Sequence, residues 1–337
     1  MAAAPLDVLV TMPFSDAQLD RIRAVSPRVR VTRTDAATAD YGAADVLYAG
    51  NPPRDLTRAP KLAWVQLHMA GVNTLADHPL YTKSGLPLTT TSGVHAATIA
   101  EYAITVLLAL AHRVPRMVEW KARGGWPPDQ DRWPLFVPTE VRGATLGIIG
   151  YGSIGRELAR IAKHAFAMTI LACKRDPSRR LDDGYALPGT GDPEGLLPDA
   201  WFSPDRLTEM LARSDIVVMA APLTRETTGM IDARALAAMK PSAYFINVGR
   251  GASVDEAALA AALAGRRIAG AAVDVFAEEP PPAGHPLYVV DNAILSPHVS
   301  GFLPSYDDKC TDLFAENLGR FLTGAPLLNL VNRERGY

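Results

Sequence analysis

From about residue 145 onward, short β-rich apolar runs at 145–149, 169–173, 215–220, 243–248, 268–273 and 293–296 alternate with segments of helical spacing. Such alternation is the pattern of a parallel sheet covered by helices on both faces. Between the first two runs, Ile154, Leu158, Ile161 and Ala165 recur at i, i+4, i+7 and i+11, one stripe of a helix. Two later helices carry their own punctuation. One begins near Asp232 and is ended by Pro241; the other is opened by Ser253-Val254-Asp255-Glu256, which reads as a capping box, and stops at Gly265.

The first hundred residues repeat the alternation on a smaller scale, with candidate strands at 7–11, 29–32, 45–49, 63–67 and 88–90. They predict a separate small α/β domain. Residues 305–322 predict one long helix that returns to this domain and makes it discontinuous in sequence. The expected organisation is therefore 1–110 with 302–337 as one domain and 111–301 as the other, joined by two crossings. The segment 177–203, rich in Gly, Pro and Asp, predicts a surface excursion.

Composition narrows the chemistry. A chain of 337 residues is longer than one hydrophobic core usually organises, in keeping with two domains. Its 34 basic and 36 acidic side chains nearly cancel and form no basic block, so the electrostatic footprint of a nucleic-acid binder is missing and small-molecule chemistry is favoured. Cys173 and Cys310 are too few for a disulfide framework and lack the CxxC spacing of a metal or redox site, which fits a reducing compartment. Residues 6–10 read as a strand and not as a signal peptide. The most apolar stretch, 99–111, is shorter than a bilayer requires and carries Glu101. A cytoplasmic protein with no metal, membrane or nucleic-acid partner is expected.

After the run 145–149 comes Gly150-Tyr151-Gly152-Ser153-Ile154-Gly155, followed directly by the helical stripe. The first glycine permits a tight turn, the second lets backbone approach a pyrophosphate, and the third lets helix and strand pack closely. Helix N–H groups and dipole then face the phosphates. A glycine-rich loop without a ligand is the plain alternative; a strand before and a helix after favour dinucleotide binding.

Three polar side chains stand just beyond predicted strands: Arg250 after 243–248, Glu279 shortly after 268–273, and His298 after 293–296. Ligands of open α/β sheets bind outside the carboxyl ends of strands, so all three can converge on one crevice. Each alone reads as a surface ion pair, a solvated loop acid or a capping histidine; the joint placement favours a reactive site.

Residues 143–301 resemble the cofactor domain of the D-isomer-specific 2-hydroxyacid dehydrogenases. The likeness rests on the glycine turn, Ala221-Pro222-Leu223-Thr224 with Thr227-Thr228-Gly229, Phe245-Ile246-Asn247-Val248-Gly249-Arg250-Gly251, Asp274-Val275-Phe276-Ala277-Glu278-Glu279-Pro280 and Ser296-Pro297-His298-Val299-Ser300-Gly301. Met69-Ala70-Gly71-Val72-Asn73 resembles the family's substrate-binding loop more loosely, since a second glycine and an aspartate are more usual there.

The resemblance implies a Rossmann-type doubly wound parallel sheet for the cofactor domain and a smaller flavodoxin-like α/β substrate domain. It implies hydride transfer between NAD(P)H and a small 2-keto acid to give the D-2-hydroxy acid. By it, Arg250 binds the substrate carboxylate and polarises the 2-oxo group, and His298 is the acid and, in reverse, the base. Glu279 fixes the histidine tautomer and stabilises the charged ring, with Glu278 as competitor; Glu279 directly precedes the proline, as the family's acid does. Asp274 is assigned to the nicotinamide carboxamide, with a strand-end cap as its alternative. Backbone N–H groups near Met69, Ala70 and Gly71 are assigned to the substrate carboxylate, with an ordinary turn as theirs. Ser153, Ile154, Pro222, Thr227, Val248 and Gly301 join the cofactor site. His68, Trp120, Trp126, Trp133, Phe302 and Tyr306 are aromatic candidates for a side-chain pocket, none singled out.

NAD-specific relatives place an acid at the end of the second strand of this fold. Here that position holds Lys174, with Arg175 beside it, which favours NADP(H) over NAD(H); a two-residue shift would make Asp176 the ribose acid instead. The resemblance also implies a homodimer, joined partly through residues 113–140. Two other readings of the same sequence are a dinucleotide-sensing, corepressor-like binding protein and a phosphoglycerate dehydrogenase-like enzyme.

Overall fold

Two parallel sheets organise residues 4–337, the part of the chain that the computed structural model describes, and the residues divide between two units. The first unit comprises residues up to His95, Asp183–Leu187 and Leu303–Tyr337. It contains β1 (Leu6–Val10), α1 (Asp16–Arg23), β2 (Val29–Arg33), β3 (Val46–Ala49), β4 (Trp64–Leu67), the single turn α2 (Pro79–Thr82) and β5 (Leu88–Thr89). The strands pair in the order β2-β1-β3-β4-β5, all parallel, the flavodoxin-like order.

Every residue of β3 and β4 is buried, as expected for a parallel sheet covered on both faces. Alternation divides them: Val46, Tyr48 and Trp64 pack with Leu313, Phe314 and Leu318 of the last helix, Tyr306–Thr323. Leu47, Ala49, Val65 and Leu67 pack with Leu75, Leu80 and Leu88 on the other face. At the start of α1, Ser15 caps Gln18 N–H while the Gln18 side chain accepts from Ser15 N–H, a closed capping box.

The second unit, Ala96–Asp182 and Pro188–Phe302, begins with α3 (Ala96–Ala111), α4 (Val114–Ala122) and α5 (Asp129–Phe136). Then follow β6 (Thr145–Ile149), α6 (Ser153–Phe166), β7 (Thr169–Cys173), β8 (Ala200–Phe202), α7 (Leu207–Arg213), β9 (Ile216–Met219), α8 (Ala233–Ala238), β10 (Tyr244–Asn247), α9 (Glu256–Ala264), β11 (Gly270–Val273) and β12 (Ala293–Leu295). The seven strands are parallel, in the order β12-β11-β10-β9-β6-β7-β8. The chain winds outward from β6 to β8, then restarts beside β6 at β9 and winds the other way. The β6/β9 pair is therefore the topological switch point of a doubly wound sheet, where such folds bind ligands. Leu146, Ile148, Ile170 and Val218 face α3 and α6; Ile149, Leu171, Val217 and Phe245 face α7, α8 and α9.

Three expectations change in detail. The helix Ala96–Ala111, whose residues up to 110 were expected with the first domain, packs in the second unit, because Ile99, Ala103, Leu107 and Leu110 bury against Leu158, Ala159 and Ala162 of α6. The segment 177–203 is more than a surface excursion: it supplies the edge strand β8 and lends Asp183–Leu187 to the first unit, so the chain crosses between units four times and not twice. The capping residue of α9 is Asp255, whose carboxylate accepts from Ala258 N–H, whereas Ser253 lies in the preceding 3-10 turn and Glu256 accepts from Ala277 N–H and faces His285.

The excursion is ordered by polar contacts with α6 and the turn before it. Asp192 accepts from the Tyr151 hydroxyl at 2.7 Å and from Leu196 and Leu197 N–H at 2.9 and 3.0 Å. Arg156, on α6, is buried; it donates to the carbonyls of Asp192 and Arg180 and pairs with Asp182 at 2.9 Å. Among the described residues no single helix is long and apolar enough to cross a membrane.

Candidate active site

The glycine turn sits at the carboxyl end of β6, on the switch point. Gly150 adopts φ +95°, and a Cβ there would lie 2.5 Å from Ala221 backbone, so this turn admits only glycine. A Cβ at Gly155 would lie 2.4 Å from the Gly150 carbonyl, the close helix–strand approach expected of the third glycine. Gly152 differs: a Cβ there would meet no atom within 4 Å, so packing alone does not require its smallness. Gly152 is also the N-cap of α6 and supplies no side-chain cap to the helix that begins at Ser153 and Ile154. Room in front of unclaimed helix N–H donors fits a dinucleotide pyrophosphate.

On one side of this turn β7 ends in the two cations, and the structure separates them. Lys174 is half-buried, donates from Nζ to the Arg179 carbonyl and lies 5.9 Å from the Trp201 ring on the edge strand. Arg175 reaches the other way and pairs with Glu226 at 3.1 Å. Asp176 is folded onto its own turn, accepting from Ser178 N–H and hydroxyl at 3.0 and 2.6 Å. On the other side of the turn, in the loop after β9, the Thr227 hydroxyl donates to the Pro222 carbonyl at 2.7 Å and accepts from Thr224 N–H at 2.8 Å, so Thr227 shapes the loop. Val248 is buried and donates its N–H to the Met219 carbonyl.

Arg250, Glu279 and His298 follow the adjacent strands β10, β11 and β12. His298 Nδ1 is 2.7 Å from Glu279 Oε2. The other Glu279 oxygen accepts from Phe276 N–H at 2.9 Å, which fixes the carboxylate from its own loop. Glu279, and not Glu278, is thus the partner of the ring. Arg250 Nη1 donates to the Gly249 carbonyl at 2.7 Å; burial lowers its pKa, and the neighbouring Glu279 opposes that shift. A Cβ at Gly251 would lie 1.8 Å from the Phe276 carbonyl carbon, so glycine lets the Arg250 turn close against the loop that carries Glu279. A half-buried cation, a histidine and its carboxylate here can bind an anion and exchange a proton.

Asp274 is fully buried, and its carboxylate is engaged by this loop. It accepts from the Ser296 hydroxyl, from Val299 N–H at 2.9 Å and from Ser300 N–H at 3.0 Å, while its carbonyl accepts from His298 N–H. These contacts make Asp274 the strand-end cap of the loop that carries His298. Tyr102 on α3, which the sequence reading missed, meets the Ser296 hydroxyl and ties the same loop to the helix. Nothing in its apolar helical surroundings marks it. Gly301 closes the loop at the end of this segment.

In the first unit, the Met69-Ala70-Gly71 loop follows β4. Thr91 N–H donates to the Met69 carbonyl at 3.0 Å, and the Tyr306 hydroxyl donates to the His68 carbonyl at 2.8 Å. His68 Nδ1 meets the Tyr48 hydroxyl at 2.8 Å and Nε2 lies 3.4 Å from Asp307; burial lowers the His68 pKa and Asp307 opposes it. His68 and Tyr306 thus belong to a polar network under the loop. Of the remaining aromatic candidates, Trp120 packs edge-on to Phe136, and Trp126, Trp133 and Phe302 are exposed. Among the described residues no three His, Cys, Asp or Glu side chains are grouped to hold a metal.

The sequence profile described as D-isomer specific 2-hydroxyacid dehydrogenase, NAD binding domain, matches residues 104–300. Glyoxylate reductase of Aeropyrum pernix is 36% identical over 286 residues, covering 83% of this chain and 79% of that protein. Glyoxylate reductase of Thermococcus gammatolerans is 37% identical over 283 residues, covering 82% and 78%. Among solved structures, a D-isomer specific 2-hydroxyacid dehydrogenase from Xanthobacter autotrophicus in complex with NADPH superposes with a TM-score of 0.79 at 28% identity, covering 99% of this chain and 100% of that one. An NADPH-dependent glyoxylate/hydroxypyruvate reductase from Sinorhizobium meliloti gives a TM-score of 0.69 at 28% identity, covering 97% and 98%.

Proposed function

Because the chain belongs to the D-isomer-specific 2-hydroxyacid dehydrogenases, we propose that it reduces a small 2-keto acid, glyoxylate or a close homologue, to the D-2-hydroxy acid with NAD(P)H. The observation that carries this reading is the 2.7 Å contact of His298 Nδ1 with Glu279, beside a half-buried Arg250, at the ends of three adjacent strands. When bound, the nicotinamide cofactor supplies the hydride. Arg250 presents a planar cationic fork to the substrate carboxylate and draws electron density from the 2-oxo group. With Nδ1 held by Glu279, His298 offers its Nε2 edge and gives a proton to the carbonyl oxygen as hydride reaches the carbon. In the reverse direction the same nitrogen takes the hydroxyl proton. Buried Asp274 holds the backbone that carries the ring. The Met69-Ala70-Gly71 loop is kept as a carboxylate-binding candidate of the first unit on the family resemblance.

NADPH is the proposed hydride donor in preference to NADH. Support comes from Arg175, a cation beside Lys174, the position after β7 where NAD-specific members carry an acid, and from Asp176, whose carboxylate is turned to Ser178. Lys174 is left out of this role by its contacts with Arg179 and Trp201. One charge-assisted hydrogen bond is worth roughly 1.5–3 kcal/mol, a preference of about 10–100-fold. A homodimer joined partly through 113–140 is proposed, supported by exposed Val118, Trp126 and Trp133 on that segment. A cytoplasmic location is proposed from the two free, buried thiols. Steady-state rates with glyoxylate, hydroxypyruvate and pyruvate, each against NADPH and NADH, test the function. Oxidation of neither cofactor with any of them would overturn it.

A further inference from the structure

The ion pair of Arg175 with Glu226 joins the two loops that flank the glycine turn. Arg175 lies two residues beyond β7 and Glu226 in the loop leaving β9, and these strands are the two neighbours of β6. Arg175 Nη2 is 3.1 Å from Glu226 Oε2. A folded turn delivers the carboxylate to this place: Thr228 N–H and hydroxyl both donate to the Thr224 carbonyl, at 3.0 and 2.8 Å, and Gly229 N–H donates to the Ala252 carbonyl at 2.9 Å. The Thr224 hydroxyl first, and Arg175 in addition, hold the Glu226 carboxyl below the usual range, so it is ionised at neutral pH.

We propose that Glu226 is a specificity-determining residue that competes with the adenosine 2′-phosphate of the cofactor for Arg175. The inference rests on the reading of Arg175 as the ligand of that phosphate. A phosphate drawn to Arg175 shares the guanidinium with the Glu226 carboxylate or displaces it, and in either case lies near it, one anion repelling another. A 2′-hydroxyl asks for neither: the carboxylate stays on Arg175 and can accept from the hydroxyl. Glu226 therefore narrows the preference for the phosphorylated cofactor that Arg175 creates, a repulsive element set against one of two ligands.

Calorimetric titration with adenosine 2′,5′-bisphosphate and with adenosine 5′-monophosphate separates the two ideas. Arg175→Ala is expected to weaken the bisphosphate relative to the monophosphate by about tenfold or more. Glu226→Gln, which keeps shape and removes charge, is expected to tighten the bisphosphate relative to the monophosphate by roughly twofold to fivefold, the scale of an exposed ion pair. The NADPH to NADH ratio of kcat/KM should rise by a similar factor. If Arg175→Ala lowers the affinity ratio and Glu226→Gln leaves it unchanged or lowers it, Glu226 has no such role and the NADPH reading stands. If Arg175→Ala leaves the ratio unchanged, the 2′-phosphate reading falls and the competition with it.

Discussion

His298 carries its ring on a left-handed backbone, φ +53°, a conformation that costs a residue with a side chain roughly 1–3 kcal/mol. Asp274 holds it there by accepting from Ser296, Val299 and Ser300 through the carboxylate and from His298 through the carbonyl. Asp274→Ala would leave the Ser296 hydroxyl and the Val299 and Ser300 N–H groups without their carboxylate acceptor, at about 1–3 kcal/mol each, while the His298 N–H keeps the residue 274 carbonyl. We expect a lower melting temperature together with a fall in kcat for the keto acid; unchanged kcat and stability would remove Asp274 from this role. His298→Ala should lower turnover by about 10²–10⁴-fold with cofactor affinity nearly intact, measured by stopped-flow and fluorescence titration. Glu279→Gln should be costly and Glu278→Gln nearly neutral, since only Glu279 reaches the ring. Burial pushes the thiols of Cys173 and Cys310 up to about 12. A raised thiol pKa means less thiolate, only about one part in ten thousand at pH 8, so neither should react with iodoacetamide until the protein unfolds. The placement of Arg250, Glu279 and His298 beyond adjacent strands was readable in sequence because each follows an apolar run. Asp274's capping geometry and Tyr102 were not, since each depends on a loop conformation that spacing does not encode.

Among elements, legibility followed length and periodicity. Strands such as Thr145–Ile149 and Thr169–Cys173 are continuous apolar runs and coincide with their predicted bounds, whereas β8 has only three residues inside a segment whose Gly, Pro and Asp content reads as loop. Its register is set by Cys173, Ala172 and Leu171 of β7, and its ordering by polar partners far away in sequence. Ser253 illustrates another limit: Ser253 and Glu256 match a capping box, yet Asp255, one residue before α9, reaches the Ala258 N–H and takes the cap. The Asp192 contacts provide a test at this scale. Asp192→Ala removes the acceptor of the Tyr151 hydroxyl and of two backbone N–H groups. Hydrogen exchange should rise across 188–202 while β6 and β9 stay protected, because their amides lie in the centre of the sheet. Equal loss of protection in β6 would mean that the excursion and the sheet open as one.

At the scale of the whole molecule, two α/β units and a discontinuous first one followed from the alternation of strands and helices and from the long helix near the end. The division at Ala96 did not, because an apolar helix matches either sheet until its partners are known, here Leu158, Ala159 and Ala162. What a single chain leaves exposed gives the last prediction. Val118 at 62%, Trp126 at 79% and Trp133 at 75% lie within 113–140, the segment that family resemblance assigns to a dimer contact. Single exposed apolar side chains are ordinary, but two indoles and a valine within 16 residues are the composition of an interface core. Sedimentation velocity of the unaltered protein at micromolar concentration should give a dimer. Replacing Trp126 and Trp133 together by Ser should shift it toward monomer with each sheet still folded by circular dichroism, since neither indole belongs to a buried cluster. A monomer from the unaltered protein would refute the dimer. A dimer that survives the double substitution would place the contact elsewhere on the chain.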